Sequence, residues 1–396
     1  MLKRILGITA VAALATIQSG LVAQAATATC NGVSATITSD AATINGTTKN
    51  DVIVVTGTGD HVVNSGSGND LICDAAGNDT INAGEGNDTV LGNAGNDIIN
   101  AGSGTDSVNG GDGNDTMTGA DGNDALSGAA GNDNLAGNSG NDGLSGGEGN
   151  DTITGGEGND VIAAGAGNDV ADAGAGNDTE NGEAGDDSLA GGEGNDTITG
   201  GAGDDVVNGN AGNDIENGEA GDDSLAGGEG NDKVLGGTGR DSLDGGVGND
   251  SLDGGDDNDT ENGGDGNDTI TGGAGDDVVN GNAGSDTETG GAGKDLVNGN
   301  DGADKLYGSD DDDVLNGNAG NDVLVGNAGN DKLNGGTGND SLDGGDGDDE
   351  LDGNDGADHV KGSGGRDVKH LASGDKDDDS RDSSDSKDGN SQERDD

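Results

Sequence analysis

The sequence predicts an all-β solenoid of about 17 stacked turns, two repeats to a turn, with a small N-terminal β cap. Three observations predict it: a nine-residue unit that recurs in phase, an aspartate fixed at its sixth place, and an aliphatic residue fixed at its eighth. The unit is plainest from Gly146 to Ala163, which reads GGEGNDTIT and then GGEGNDVIA. Small, flexible residues and an acidic turn precede a short run that alternates outward and inward, which suits a short strand. Nine-residue steps from Asp70 to Asp367 meet an aspartate at all 34 positions. A glycine stands two residues before in 32 of them, and Ile, Leu, Val or Met two residues after in 28. A disordered Gly/Asp-rich tract has no reason to hold three positions in phase for so long.

A nine-residue unit is too short to close a coil, so two units, 18 residues, are expected to make one turn. The aspartates then fall into two rows, successive members about 4.8 Å apart, one strand spacing. One row is Asp70, Asp88, Asp106, Asp124, Asp142, Asp160, Asp178, Asp196, Asp214, Asp232, Asp250, Asp268, Asp286, Asp304, Asp322, Asp340 and Asp358. The other is Asp79, Asp97, Asp115, Asp133, Asp151, Asp169, Asp187, Asp205, Asp223, Asp241, Asp259, Asp277, Asp295, Asp313, Asp331, Asp349 and Asp367. Carboxylates and the carbonyls of a glycine-rich turn are the oxygen donors that a hard cation prefers, and calcium fits between stacked aspartates. Two rows of this length leave at most about 32 gaps, and that many calcium ions bring roughly +64 charges.

Taken in order, residues 1–25 have the pattern of a cleaved secretory signal: Lys3 and Arg4, an apolar run from Ile5 to Ile17, then Ala23-Gln24-Ala25. The apolar run is too short for a membrane span, and no other segment approaches the needed length. Residues 26–64 are not yet in step. Val33 to Thr38 alternates, Val52 to Val55 is β-branched, and the aspartate phase slips by one residue around His61, between Asp60 and Asp70. This segment is expected to cap the open end of the solenoid, as repeat arrays require. Cys30 and Cys73 bracket the start of the repeats, and in an oxidising compartment an even count of two predicts one disulfide. The repeats occupy 65–370. Glu180, Glu216, Glu261, Glu288 and Lys369 stand at the inward eighth place, where a buried charge predicts weak turns unless it is neutralised or turned outward. Residues 371–396 carry ten acidic and four basic residues with almost nothing apolar, and are expected to form a disordered acidic tail.

The chain has 396 residues, 15 basic and 81 acidic, and a net charge of -66. Such a surface repels nucleic acid and anionic lipid, which excludes them as partners. There is no Trp, Phe or Pro, and Tyr307 is the one aromatic residue, so a conventional globular core is not expected despite the length. The three histidines, His61, His359 and His370, lie near the two ends, and the aspartates are explained as ligands by their fixed place in the repeat. No catalytic residues are therefore assigned, and the chain is not expected to be an enzyme. Val278, Leu296 and Val314 align at 18-residue spacing as a small outward apolar stripe.

The units GGEGNDTIT (146–154) and GGTGNDSLD (335–343) resemble the haemolysin-type, or RTX, calcium-binding repeat. The resemblance covers about three quarters of the chain. It implies a parallel β-roll with calcium between turns, held by the sixth-place aspartates and by carbonyls of the glycine-rich segment, here those of Gly147, Gly149, Gly156 and Gly158. Toxins, lipases and proteases of that family join the roll to a catalytic or pore-forming domain and often carry a C-terminal secretion signal. This sequence departs from them in its N-terminal signal and in showing no such domain, so it looks like a stand-alone secreted form. The expected function is that of an extracellular calcium-binding repeat protein that folds on binding many calcium ions and serves a structural or cell-surface interaction role. The alternative is an adhesin-like or matrix protein whose side faces bind a specific partner.

Overall fold

A computed structural model describes residues 28–379. The expected signal at 1–25 and the tail beyond residue 379 lie outside the described residues. The chain divides into two compact units, Met1–Gly165 and Ala166–Asp396. Both are built on one plan.

Within a repeat the seventh to ninth and the next first to third residues form one six-residue strand, as in Thr152–Glu157 and Ser188–Glu193. Side chains alternate along a strand, so the eighth and first places face inward and the seventh and ninth outward. The fourth to sixth residues turn the corner. Each strand pairs in parallel with the strand 18 residues on: Ile98 with Thr116 and Ile99 with Met117 in the first unit, Ser188 with Val206 and Leu189 with Val207 in the second. Alternate strands thus build two parallel ladders in each unit, and the fold class is an all-β parallel solenoid, about 19 coils in all.

The corners are bonded as continuously as the strands. In the first unit Thr89 N–H donates to the Asp70 carbonyl at 2.8 Å, and Gly86 N–H to the Ser103 carbonyl at 2.8 Å. The core is one layer of eighth-place side chains, such as Ile81, Ile99, Met117 and Leu135, buried against first-place glycine or alanine. A coil therefore buries two large side chains, which is thin for a core.

The coil count exceeds the expected 17 because the winding starts before the regular repeats and continues past them. Residues 26–64 supply an antiparallel pair, Thr29–Cys30 with Val33–Ser34, and then Ile37–Ser39, Thr43–Asn45 and Val52–Val55, which already stack in the coil. Cys30 and Cys73 are disulfide-bonded, Cα to Cα 5.7 Å. At the other end Lys376–Asp377 pairs with His359 and Val360, so the winding passes residue 370, where the sequence analysis placed the start of the tail. Lys369, expected to be an unpaired inward charge, is instead paired with Asp377 at 2.9 Å and with Asp379.

Candidate metal centres

The aspartate rows form as the 18-residue spacing requires, and the way they form was not legible beforehand. The Asp70 amide donates to Asp88 Oδ1 at 2.7 Å, and the Asp88 amide to Asp106 Oδ1 at 2.7 Å. The second row of the first unit runs Asp79 to Asp97 to Asp115 at 2.8 Å a step. In the second unit Asp214, Asp232, Asp250 and Asp268 are linked in the same sense at 2.8 Å. One carboxylate oxygen of each aspartate is thus spent on the coil below it.

The fifth-place residue runs a ladder of the opposite sense on the exposed side. Asn213 N–H donates to Asn195 Oδ1 at 2.7 Å, and Asn231 N–H to Asn213 Oδ1 at 2.9 Å. Sequence reasoning passed over these asparagines, although their fixed place beside the aspartate was visible. Asp51 and Asp375 also stand in the aspartate rows, accepting or donating where the step slips: the Asp51 amide donates to Asp70 Oδ1 at 2.8 Å and the Asp358 amide to Asp375 Oδ1 at 3.1 Å. They lie 19 residues before Asp70 and 17 after Asp358, so a strict period could not find them.

The second oxygen decides what the rows can hold. Oδ2 of Asp88, Asp115, Asp232 and Asp268 is buried with no hydrogen-bond partner, on residues that are 1–2% exposed. Burial pushes these carboxyls up, and at Asp88 and Asp268 the next charges in the row add to the shift. Asp97, Asp205, Asp259 and Asp313 are raised to about 7 by burial, partly offset by the donated amide. A bare carboxylate oxygen in a dry row needs a proton or a cation.

There is room for a cation. A β-carbon on Gly272 would lie 2.6 Å from Asp277 Oδ2 and 2.7 Å from the Gly290 carbonyl of the next coil, and one on Gly92 would lie 2.6 Å from both Asp97 Oδ2 and the Gly110 carbonyl. The first-place glycine therefore leaves open a cradle in which a carboxylate oxygen and a carbonyl oxygen approach each other. Hard oxygen donors alternating with flexible backbone suit calcium. Gly147 and Gly156, near the ends of their strands, and Gly149 and Gly158, at the corners, all expected as carbonyl donors, have φ of +118, +122, +127 and +124°. The carbonyls of the preceding coil, those of Ala129, Gly131, Asn138 and Gly140, point at the places their β-carbons would take. These carbonyls are thus aimed along the stack, coil to coil.

The inward glutamates are not turned out. Glu180, Glu216, Glu261 and Glu288 are 0–1% exposed, and both oxygens of each are buried without a hydrogen-bond partner. Their carboxyls bend back toward the aspartate of the same repeat: Glu288 Oε1 and Asp286 Oδ2 both reach the space beside Gly281, where the Gly299 carbonyl also points. Burial, followed by the charges of neighbouring aspartates, pushes Glu216, Glu261 and Glu288 up to about 9. Glu180 is pushed up by burial as well, and burial favours the neutral form of all four, the other outcome the sequence left open.

Comparison with known proteins adds two findings. The family model described as RTX calcium-binding nonapeptide repeat (4 copies) matches overlapping segments from 75–108 to 334–368. Among solved structures the chain is similar to a hyperactive, Ca2+-dependent, beta-helical antifreeze protein from an Antarctic bacterium, at 20% identity over 83% of this chain and 80% of that one, with a TM-score of 0.25. So loose a superposition says nothing about the role of this chain. No curated protein matches it.

Proposed function

The chain belongs to the RTX calcium-binding nonapeptide repeat family, and on that premise we propose that it is an exported protein that folds on binding many calcium ions and then serves as a structural or surface-interaction element outside the cell. The observation that supports this most is the repeated bare Oδ2, buried beside a first-place carbonyl of the next coil. The ligands would be the Oδ2 atoms of the aspartates from Asp70 to Asp367, with carbonyls of the glycine-rich segment, among them Gly147, Gly149, Gly156 and Gly158. Calcium supplies positive charge where the fold gathers carboxylates. The chain's own contribution is to hold each carboxylate through the amide of its row neighbour, and to keep water out with the eighth-place side chains.

Export rests on the residue pattern at 1–25. An unfolded chain passes a secretion channel more readily than a folded roll, and the low calcium of a cell interior would keep it unfolded until it emerges. Counting bound metal tests the central point: elemental analysis of purified protein after dialysis against calcium should find tens of ions per chain, against the limit of about 32. Fewer than about five would overturn the assignment of the rows. N-terminal sequencing of protein from culture medium should begin at Ala26. Recovery only from the cell interior, with Met1 retained, would overturn export.

A further inference from the structure

At the N-terminal end of one aspartate row the ligand chemistry changes. The place preceding Asp79 is taken by His61, whose amide donates to Asp79 Oδ1 at 2.5 Å and whose ring Nδ1 lies 3.0 Å from the same oxygen. A third residue joins them from outside the nine-residue step. Asp74 offers a carboxylate oxygen within 4.8 Å of the ligand atoms of His61 and Asp79. All three are buried, 5%, 3% and 1% exposed, and Oδ2 of Asp74 and Oδ2 of Asp79 have no hydrogen-bond partner.

The cluster is held from several sides. Asp74 follows Cys73, which is bonded to Cys30, and its Oδ1 accepts the Ala75 amide at 2.8 Å. Its own amide donates to the Leu91 carbonyl at 2.9 Å. A β-carbon on Gly57 would fall 2.6 Å from His61 Nε2, so that glycine makes room for the ring, while the Nδ1 edge faces the carboxylates. A calcium site of the rows is made of oxygen alone. This one offers an imidazole nitrogen and two carboxylates.

We propose that His61, Asp74 and Asp79 form a site for one first-row divalent transition ion of the zinc type, which takes the place of calcium at the N-terminal end of this row. Imidazole with carboxylate suits zinc or cobalt, whereas calcium takes oxygen ligands. Two donors each about 2.1 Å from one ion lie about 3.0–3.4 Å apart at right-angled to tetrahedral arrangement, which the His61–Asp79 separation of 3.0 Å matches. Charge also balances: two carboxylates and a neutral imidazole around a divalent ion leave no net charge in a dry site. The ion would join the disulfide-bonded first coils to the regular repeats at the point where the period slips.

The test uses the full mature chain saturated with calcium, with Co2+ as the probe. One equivalent of Co2+ is expected to remain bound against calcium in about thousand-fold excess, with visible absorption that Zn2+ abolishes. His61→Gln and Asp74→Asn should each weaken it by at least about 100-fold, and His359→Gln/His370→Gln should retain it. Zinc-edge X-ray absorption of the unaltered protein, which needs no variant to fold, should show imidazole nitrogen in the first shell. Displacement of Co2+ by calcium, equal retention in folded His61→Gln, or an all-oxygen shell would each overturn the site.

Discussion

An aspartate in this chain performs three tasks with one residue. Its carbonyl and amide bind adjacent coils, its Oδ1 accepts an amide, and its Oδ2 is left to a cation or proton. The identity and place of the aspartate were legible in the sequence because period and residue type agree over the whole repeat. The division of labour between its oxygens was not, since it depends on which way a side chain turns at a corner. The same limit applied to the inward glutamates: the sequence located Glu216 in the core but left open whether it would stay there. It stays, buried and without a hydrogen-bond partner, so Glu216→Leu should stabilise the roll by about 1–3 kcal/mol, read as a higher unfolding midpoint. Lower stability would mean that the glutamate has a ligand. At the corners, Asp257 holds φ of +79°, and Asp311 +74°, where the other repeats have glycine. Left-handed backbone costs a β-carbon about 1–2 kcal/mol, and glycine's added freedom in the unfolded chain returns part of that. Asp257→Gly should therefore gain about 0.5–1 kcal/mol, while Gly203→Ala, at φ of +138° against the Gly185 carbonyl, should lose at least about 2 kcal/mol. Thermal unfolding of the pair in saturating calcium checks both signs.

The element here is the coil, and its length was readable because 18 residues return each aliphatic to the same face. Where the chain leaves that length, reading failed for a physical reason. Asp51 and Asp375 fill row places at spacings of 19 and 17, because a corner can absorb one residue without moving the strands that flank it. The end coils lack a neighbour on one side and so depend on other links. At the C-terminal end Lys369 and its two aspartates supply one, and at the N-terminal end the disulfide does. Closing a loop of 43 residues stabilises by about 4 kcal/mol in the chain-entropy model. Cys30→Ser/Cys73→Ser should speed hydrogen exchange in Ile37–Ser39, Val52–Val55 and Leu71–Cys73 while strands such as Val323–Ala328 keep their protection. Equal acceleration throughout would show that the bond acts on the whole roll rather than on its end.

At the scale of the molecule, charge governs. The chain carries -66, and winding it into a roll lines carboxylates up in dry rows. Protons and calcium are then alternative ways to make the roll possible, and they act in opposite pH ranges. The row carboxyls of Asp205, Asp259 and Asp313 are raised from 3.8 to about 7 in the metal-free roll, so the folded chain binds more protons than the unfolded one between those values. Their contribution is fully present below pH 3.8 and is lost as pH rises through about 7. In chelator, acidification from pH 8 to 5 should therefore raise the β signal in circular dichroism. In calcium the same acidification should displace the ion. A metal-free chain whose spectrum is indifferent to pH would contradict the burial of the rows. The central claim is that calcium binding and folding are one process, and a calcium titration at pH 8, starting in chelator, tests it most directly. Circular dichroism and hydrodynamic radius should pass together from an expanded chain to a compact β-rich one at about 0.1–1 mM calcium, the range of extracellular calcium modules, and magnesium should not substitute. A compact β-rich chain already present in chelator at that pH, unchanged by calcium, would contradict the account.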